Sequence, residues 1–150
     1  MRLVVQRVKE ASCTVDGKIT GAIGDGFMVL VGMGLEDDEL IVERMANKLS
    51  KLRVFDDGEG KMNLSLYDVG GSILSISQFT LYADAAKGNR PSFTNALRGE
   101  EATKLYDYFN KCLRDLGLTV ETGIFGADMA IRLWNDGPVT IILDSKELFK

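Results

Sequence analysis

The stretch Thr14-Val15-Asp16-Gly17-Lys18-Ile19-Thr20-Gly21-Ala22-Ile23-Gly24-Asp25-Gly26-Phe27-Met28-Val29-Leu30-Val31 (residues 14–31) decides the fold class. Asp16-Gly17 between two β-prone runs is a strong two-residue hairpin signal, because the tight turn asks for positive φ at residues that tolerate it. Gly24-Asp25-Gly26 turns the chain a second time. Phe27 to Val31 then runs without polar alternation, which predicts a strand covered on both faces. Upstream, Leu3 to Val8 is apolar and β-branched, and Cys13-Thr14-Val15 leads into the first turn.

Downstream, Asp37 or Asp38 can cap a helix whose apolar face is Ile41, Met45, Leu49 and Leu52. Arg53-Val54-Phe55 reads as a short strand and residues 56–60 as a loop. Ser72 to Leu81 is β-like, and Ala83 to Arg98 is an ordered loop. A second helix spans about Glu100 to Leu116, with Ala102, Leu105, Phe109, Cys112, Leu113 and Leu116 on its apolar face and Gly117 as its stop. Ala130 to Trp134 and Val139 to Leu143 are two further strands, joined by the turn Asn135-Asp136-Gly137-Pro138. The expectation is an α+β fold: one strand-rich, barrel-like sheet domain over residues 1–150, flanked by two main helices.

Composition narrows the chemistry. The 150 residues suit one domain, and a chain of that length can bury roughly two thirds of its unfolded surface. With 45% hydrophobic and 27% charged residues, disorder and coiled-coil readings fail. No apolar run approaches the roughly 18 residues of a membrane helix, and Arg2 and Arg7 interrupt any secretory signal, so the cytoplasm is the expected location. There is no histidine, which removes Ser-His-Asp, Cys-His and His-ligated metal chemistry. Cys13 and Cys112 form no CxxC and sit among apolar neighbours, so reduced buried thiols and no metal are expected. The net charge of −4 argues against coating nucleic acid generally, though not against a few local contacts.

Four segments carry candidate chemistry. Ser75-Ile76-Ser77-Gln78-Phe79-Thr80-Leu81 gathers hydroxyl and amide groups at a strand end; alternation places Ser75, Ser77, Phe79 and Leu81 on one face. Taken alone, it reads as ordinary strand. Asn135 to Thr140 contains a Gly-Pro turn, whose rigid carbonyls can accept from an ammonium group. Lys87 to Phe93 offers two cations for phosphates, or is a plain surface loop. Gly123 to Met129 places Phe125 and Met129 among small residues, as a pocket rim or as core.

In this order on a chain this short, the segments resemble the D-aminoacyl-tRNA deacylase family. Ser77-Gln78-Phe79-Thr80-Leu81 and Asn135-Asp136-Gly137-Pro138-Val139-Thr140 carry the resemblance. Gln6-Arg7-Val8, residues 60–63, Arg90-Pro91-Ser92-Phe93, residues 105–109 and Phe125-Gly126-Ala127-Asp128-Met129 support it nearly end to end. Two departures are Trp134, where a smaller aliphatic is usual, and a tail from Ser145 that runs slightly long. The resemblance implies a homodimeric ester hydrolase that needs no cofactor and removes D-amino acids, and glycine, from the 3′ end of tRNA. It implies a cis Gly137-Pro138 bond reaching into the partner's pocket. It lines that pocket with Ser77, Gln78, Phe79 and Thr80, sets Phe125 and Met129 around the terminal adenosine, and uses Arg7 to orient the Gly-Pro carbonyls. An interaction protein without activity, and a hydrolase of some other small ester, remain alternatives. A grip confined to the tRNA end predicts a shallow dependence of binding on salt.

Overall fold

The computed structural model describes residues 1–150. β1 (Arg2–Val15) is the spine of the sheet. Its C-terminal half pairs antiparallel with β2 (Lys18–Ile23) through the Asp16-Gly17 turn, where φ is +49° and +76°. Its N-terminal half pairs antiparallel with β3 (Gly26–Gly32). β3 pairs in parallel with β6 (Ser72–Ser77), and β6 with β7 (Val120–Thr122). β7 returns beside β2, where the Thr20 hydroxyl donates to the Thr122 carbonyl at 3.2 Å, so the sheet curls into a nearly closed barrel. Gly21 permits this closure, since a Cβ there would stand 2.6 Å from the Thr122 carbonyl oxygen.

Parallel neighbours need crossover connections. α1 (Glu39–Ser50) lies in the first crossover, with the small β4 (Phe55–Asp56) and β5 (Met62–Leu64) ladder and the single turn α2 (Leu66–Val69). α3 (Gly99–Asp115) forms the second. β8 (Ala130–Asp144) follows, and α4 (Ser145–Leu148) closes the chain. The two main helices are those expected. Asp38 caps α1, accepting from the Ile41 N–H at 2.9 Å, whereas Asp37 takes the Gly34 N–H. The Gly117 stop holds, at φ +88°.

β3 lacks alternation because it serves two cores. Phe27, Val29 and Val31 face a cluster under α1 and α3 that includes Met45, Leu49, Phe109 and Leu113. Met28 faces a smaller cluster inside the barrel with Val8, Cys13, Leu74 and Ile76. Cys13 is thus fully buried, while Cys112 is only half-buried.

Several expectations need correction. The strand from Ser72 stops at Ser77: Gln78 leaves the extended line and Phe79–Tyr82 wind into a 3-10 turn, so the alternation does not reach Phe79 and Leu81. The Arg53–Phe55 strand is shifted and shortened to Phe55–Asp56. In α1, Val42 and Ala46 are buried, while Ile41 and Leu52 only pack at the margin. In α3, Tyr106 and Asn110 turn inward and Leu116 is exposed. Tyr106 can do so because its hydroxyl donates to the Ser75 carbonyl at 2.7 Å, satisfying the polar tip of a large buried ring.

The last strand brings the largest difference. Asn135 to Pro138 is not a hairpin turn, since both halves of β8 pair antiparallel with the same strand, β1. Gln6 pairs Thr140 and Val8 pairs Asn135, so two steps along β1 answer to five along β8. The segment is a wide bulge in one continuous strand.

Candidate active site

The end of β6, the 3-10 turn, the start of α3 and residues 125–131 surround a cavity of about 300 Å³. Ser77, Gln78, Phe79, Phe125 and Met129 all line it, with the buried Tyr106 as part of its wall. Burial raises the pKa of the Tyr106 phenol, so it stays a neutral donor. Phe79 is fixed from outside: its ring meets Phe93 edge-on at 5.1 Å, and the Arg98 guanidinium lies 4.5 Å from its centroid. Arg98 carries no sequence signal for this role, because only the fold of the 83–98 loop brings it over the ring.

Thr80 is exposed on the 3-10 turn, beside the cavity rather than in its lining, and its hydroxyl accepts from the Gln78 side-chain amide. The Gln78 N–H is taken by the Val31 carbonyl at 2.8 Å, tying this turn to the end of β3. The N–H groups of Phe79 and Thr80 open the turn and have no acceptor within it. Lys87 and Arg90 sit on the exposed loop and line none of the cavity. No group of three or more His, Cys, Asp or Glu side chains stands close enough to hold a metal ion.

Gly137 and Pro138 do not line the cavity of their own chain; both are exposed on the β8 bulge. Their peptide bond is cis. The bulge is braced at its base. The buried Arg7 donates through Nε to the Asp136 carbonyl at 3.0 Å and through Nη1 to the Val54 carbonyl at 2.7 Å. The carbonyl that Arg7 takes is therefore the one just before Gly137. Asp56 and the Asp136 carboxylate flank the same guanidinium at 3.4 and 3.6 Å. The Asn135 side chain accepts from the Val139 N–H at 3.0 Å and donates to the Thr140 hydroxyl at 3.2 Å. Trp134, next in line, is 60% exposed at the rim of a separate groove between β1, β2 and β8.

Residues 4–144 match the family model described as D-Tyr-tRNA(Tyr) deacylase. The chain belongs to this family. It is 56% identical over 147 residues to a D-aminoacyl-tRNA deacylase of Bacillus velezensis, covering 98% of this chain and all of that one. It is 58% identical over 145 residues to the Brevibacillus brevis protein of the same name, covering 97% and 100%. Among solved structures, the c-Myc DNA unwinding element binding protein superposes with a TM-score of 0.90 at 44% identity, over 96% of this chain and 98% of that one. A probable eukaryotic D-amino acid tRNA deacylase shares the fold at 19% identity, with a TM-score of 0.81 over 95% and 97% of the two chains. No helix of this D-Tyr-tRNA(Tyr) deacylase family member is long and apolar enough to cross a membrane.

Proposed function

We propose that the chain, acting as one domain in the cytoplasm, hydrolyses the ester that joins a D-amino acid, or glycine, to the 3′ end of tRNA. It works as a homodimer, with Gly137-Pro138 of one protomer entering the cavity of its partner. The observation that carries this is the separation of two motifs within one chain: the cavity holds Ser77 to Phe79, while Gly137-Pro138 stands exposed elsewhere on a firmly braced bulge. A buried arginine is an expensive way to stiffen a surface loop unless the loop's shape matters to something outside the protomer. The names of the bacterial relatives support the same substrate class.

Handedness is read by main chain. Packing that differs by one methylene separates substrates by about 1–3 kcal/mol. Sparing L-aminoacyl-tRNA by about 10⁴-fold takes about 5.5 kcal/mol. A rigid Gly-Pro stretch reaches that by capturing the ammonium with carbonyls and leaving an L side chain no space; glycine, having no side chain, passes. Water attacks the ester carbon, the bond to the ribose oxygen breaks, and that oxygen takes up the proton. The Phe79 and Thr80 N–H groups hold the developing oxyanion, where one donor is worth about 10²–10³ in rate. Phe125 and Met129 pack around the terminal adenosine. Thr80 positions rather than attacks, because a hydroxyl with no adjacent base is a weak nucleophile.

Matched D-tyrosyl-, L-tyrosyl- and glycyl-tRNA test the proposal. Release of the D- and glycyl esters with the L-ester spared is expected; comparable L release refutes the wall, and no release at all refutes the activity. Thr80→Ala is expected to slow D-ester turnover by about tenfold, the size of one lost hydrogen bond, with no acyl-enzyme in quenched reactions. An acyl group trapped on Thr80 in the parent protein would reverse its assigned role.

A further inference from the structure

On this acidic chain, one face of α1 concentrates unpaired positive charge. Arg44, Lys48 and Lys51 follow at spacings of four and three, which aligns them on one side of the helix, and Arg53 extends the line. With Asn47 and Phe149 they surround a cleft of about 350 Å³ that no acidic residue lines. All four cations are exposed, and none has a carboxylate within salt-bridge distance. The Arg44 guanidinium is stacked 3.9 Å from the Phe149 ring centroid, so its fork is held in place. The favourable field at a helix C-terminus explains Lys48 and Lys51 there, but neither Arg44 nor Arg53.

The stripe also points somewhere. Arg53 precedes Val54, whose carbonyl shares the Arg7 guanidinium with the Asp136 carbonyl, next to Gly137. We infer that this α1 stripe binds RNA backbone phosphates: it holds the acceptor stem of the tRNA whose 3′ end lies in the partner's cavity. This rests on the dimeric reading above, in which the braced bulge enters that cavity and brings the stripe to its mouth. Arginine forks and lysine ammonium groups suit phosphate oxygens, and such contacts position a nucleic acid without reading its sequence. Few phosphates are involved, so the salt dependence stays shallow.

The test uses the full-length protein and three ligands: D-aminoacyl-tRNA, an uncharged acceptor-stem minihelix with its single-stranded 3′ end, and a D-aminoacyl ester of adenosine. Lys48→Glu/Lys51→Glu is expected to weaken minihelix binding at least about tenfold at low salt, and to lower the log Kd against log salt slope by about two. KM for D-aminoacyl-tRNA rises with it while kcat holds, and hydrolysis of the adenosine ester is unchanged. Lys48→Gln/Lys51→Gln gives the same pattern at smaller size. Unchanged minihelix affinity and slope in both variants overturn the inference; so does an equal loss on the adenosine ester, which has no stem. If the parent protein releases nothing from D-aminoacyl-tRNA, the proposed activity fails, while minihelix binding still decides the stripe.

Discussion

Gly137→Ala is expected to leave the protein folded and to cut D-aminoacyl-tRNA hydrolysis by about 10²-fold or more, as a displacement near 1 Å does at a reacting centre. Gly137 sits at φ +129°, a conformation that side chains strain by about 1–3 kcal/mol. An added Cβ would also stand 2.8 Å from a Val139 methyl and 3.1 Å from Arg7 Nη2. The bulge must shift, and Arg7 with it. Gly137 is itself exposed and outside both cores, so the loss is confined to that strain and contact, and the melting temperature should fall by roughly 2–12 °C with the fold kept. The same variant tests the exchange of loops between protomers. Mixed with a cavity variant such as Gln78→Ala and re-equilibrated, it should regain activity, because one of the two sites in the mixed dimer combines an intact cavity with an intact loop. Absence of any recovery, with mixed dimers shown to form, would sink the shared site.

Arg7→Ala is expected to cost both stability and activity. The side chain is 7% exposed and holds two carbonyls from distant segments. Its removal leaves the Val54 and Asp136 carbonyls without this donor and the exposed Asp56 carboxylate without its cation, while the Asp136 carboxylate keeps only Lys9, at 3.9 Å. The two carbonyls left unmatched in this way cost about 2–4 kcal/mol in all. For a chain of this length that lowers the melting temperature by roughly 5–15 °C. Arg7→Lys should recover little, because one compact ammonium cannot reproduce two divergent donors. Calorimetry with single-turnover deacylation checks both statements; an unchanged melting temperature together with unchanged turnover would show that the brace is dispensable.

The parts of the fold that were legible in the sequence are those set by local rules. Asp16-Gly17, the uniformly apolar Phe27–Val31, the Asp38 cap and the Gly117 stop each act through nearest-neighbour sterics or periodicity, and each stands where expected. Non-local effects were hidden. Residues 135–138 read as a turn because Asp-Gly-Pro is turn chemistry, yet β1 pairs with both flanks and keeps the strand running. Ser72–Leu81 read as one strand, yet the ladder to β3 ends where the Gln78 N–H meets the Val31 carbonyl, and Phe79–Tyr82 wind away in the 3-10 turn. Tyr106 was obscured as a wall residue because a tyrosine on a helix is ordinarily placed by hydropathy, and its carbonyl partner Ser75 lies 31 positions away. Motifs point to Ser77 to Phe79, Phe125 and Met129, and the structure brings these residues together in one cavity. It leaves Gly137 and Pro138 apart from them.

That residues 135–139 interrupt a strand instead of capping a hairpin restricts how this surface can vary. A hairpin tip accepts extra residues, because only its own ends must meet. Here both flanks are pinned to β1, with Asn135 opposite Val8 and Thr140 opposite Gln6. A residue added or removed must be absorbed by reshaping the bulge itself, and with it Gly137-Pro138, because slipping the pairing by one would turn the β8 side chains on one side to the opposite face, bringing Leu143 out of the core and Ile142 in. Length at this insert is held as tightly as the identity of Gly137.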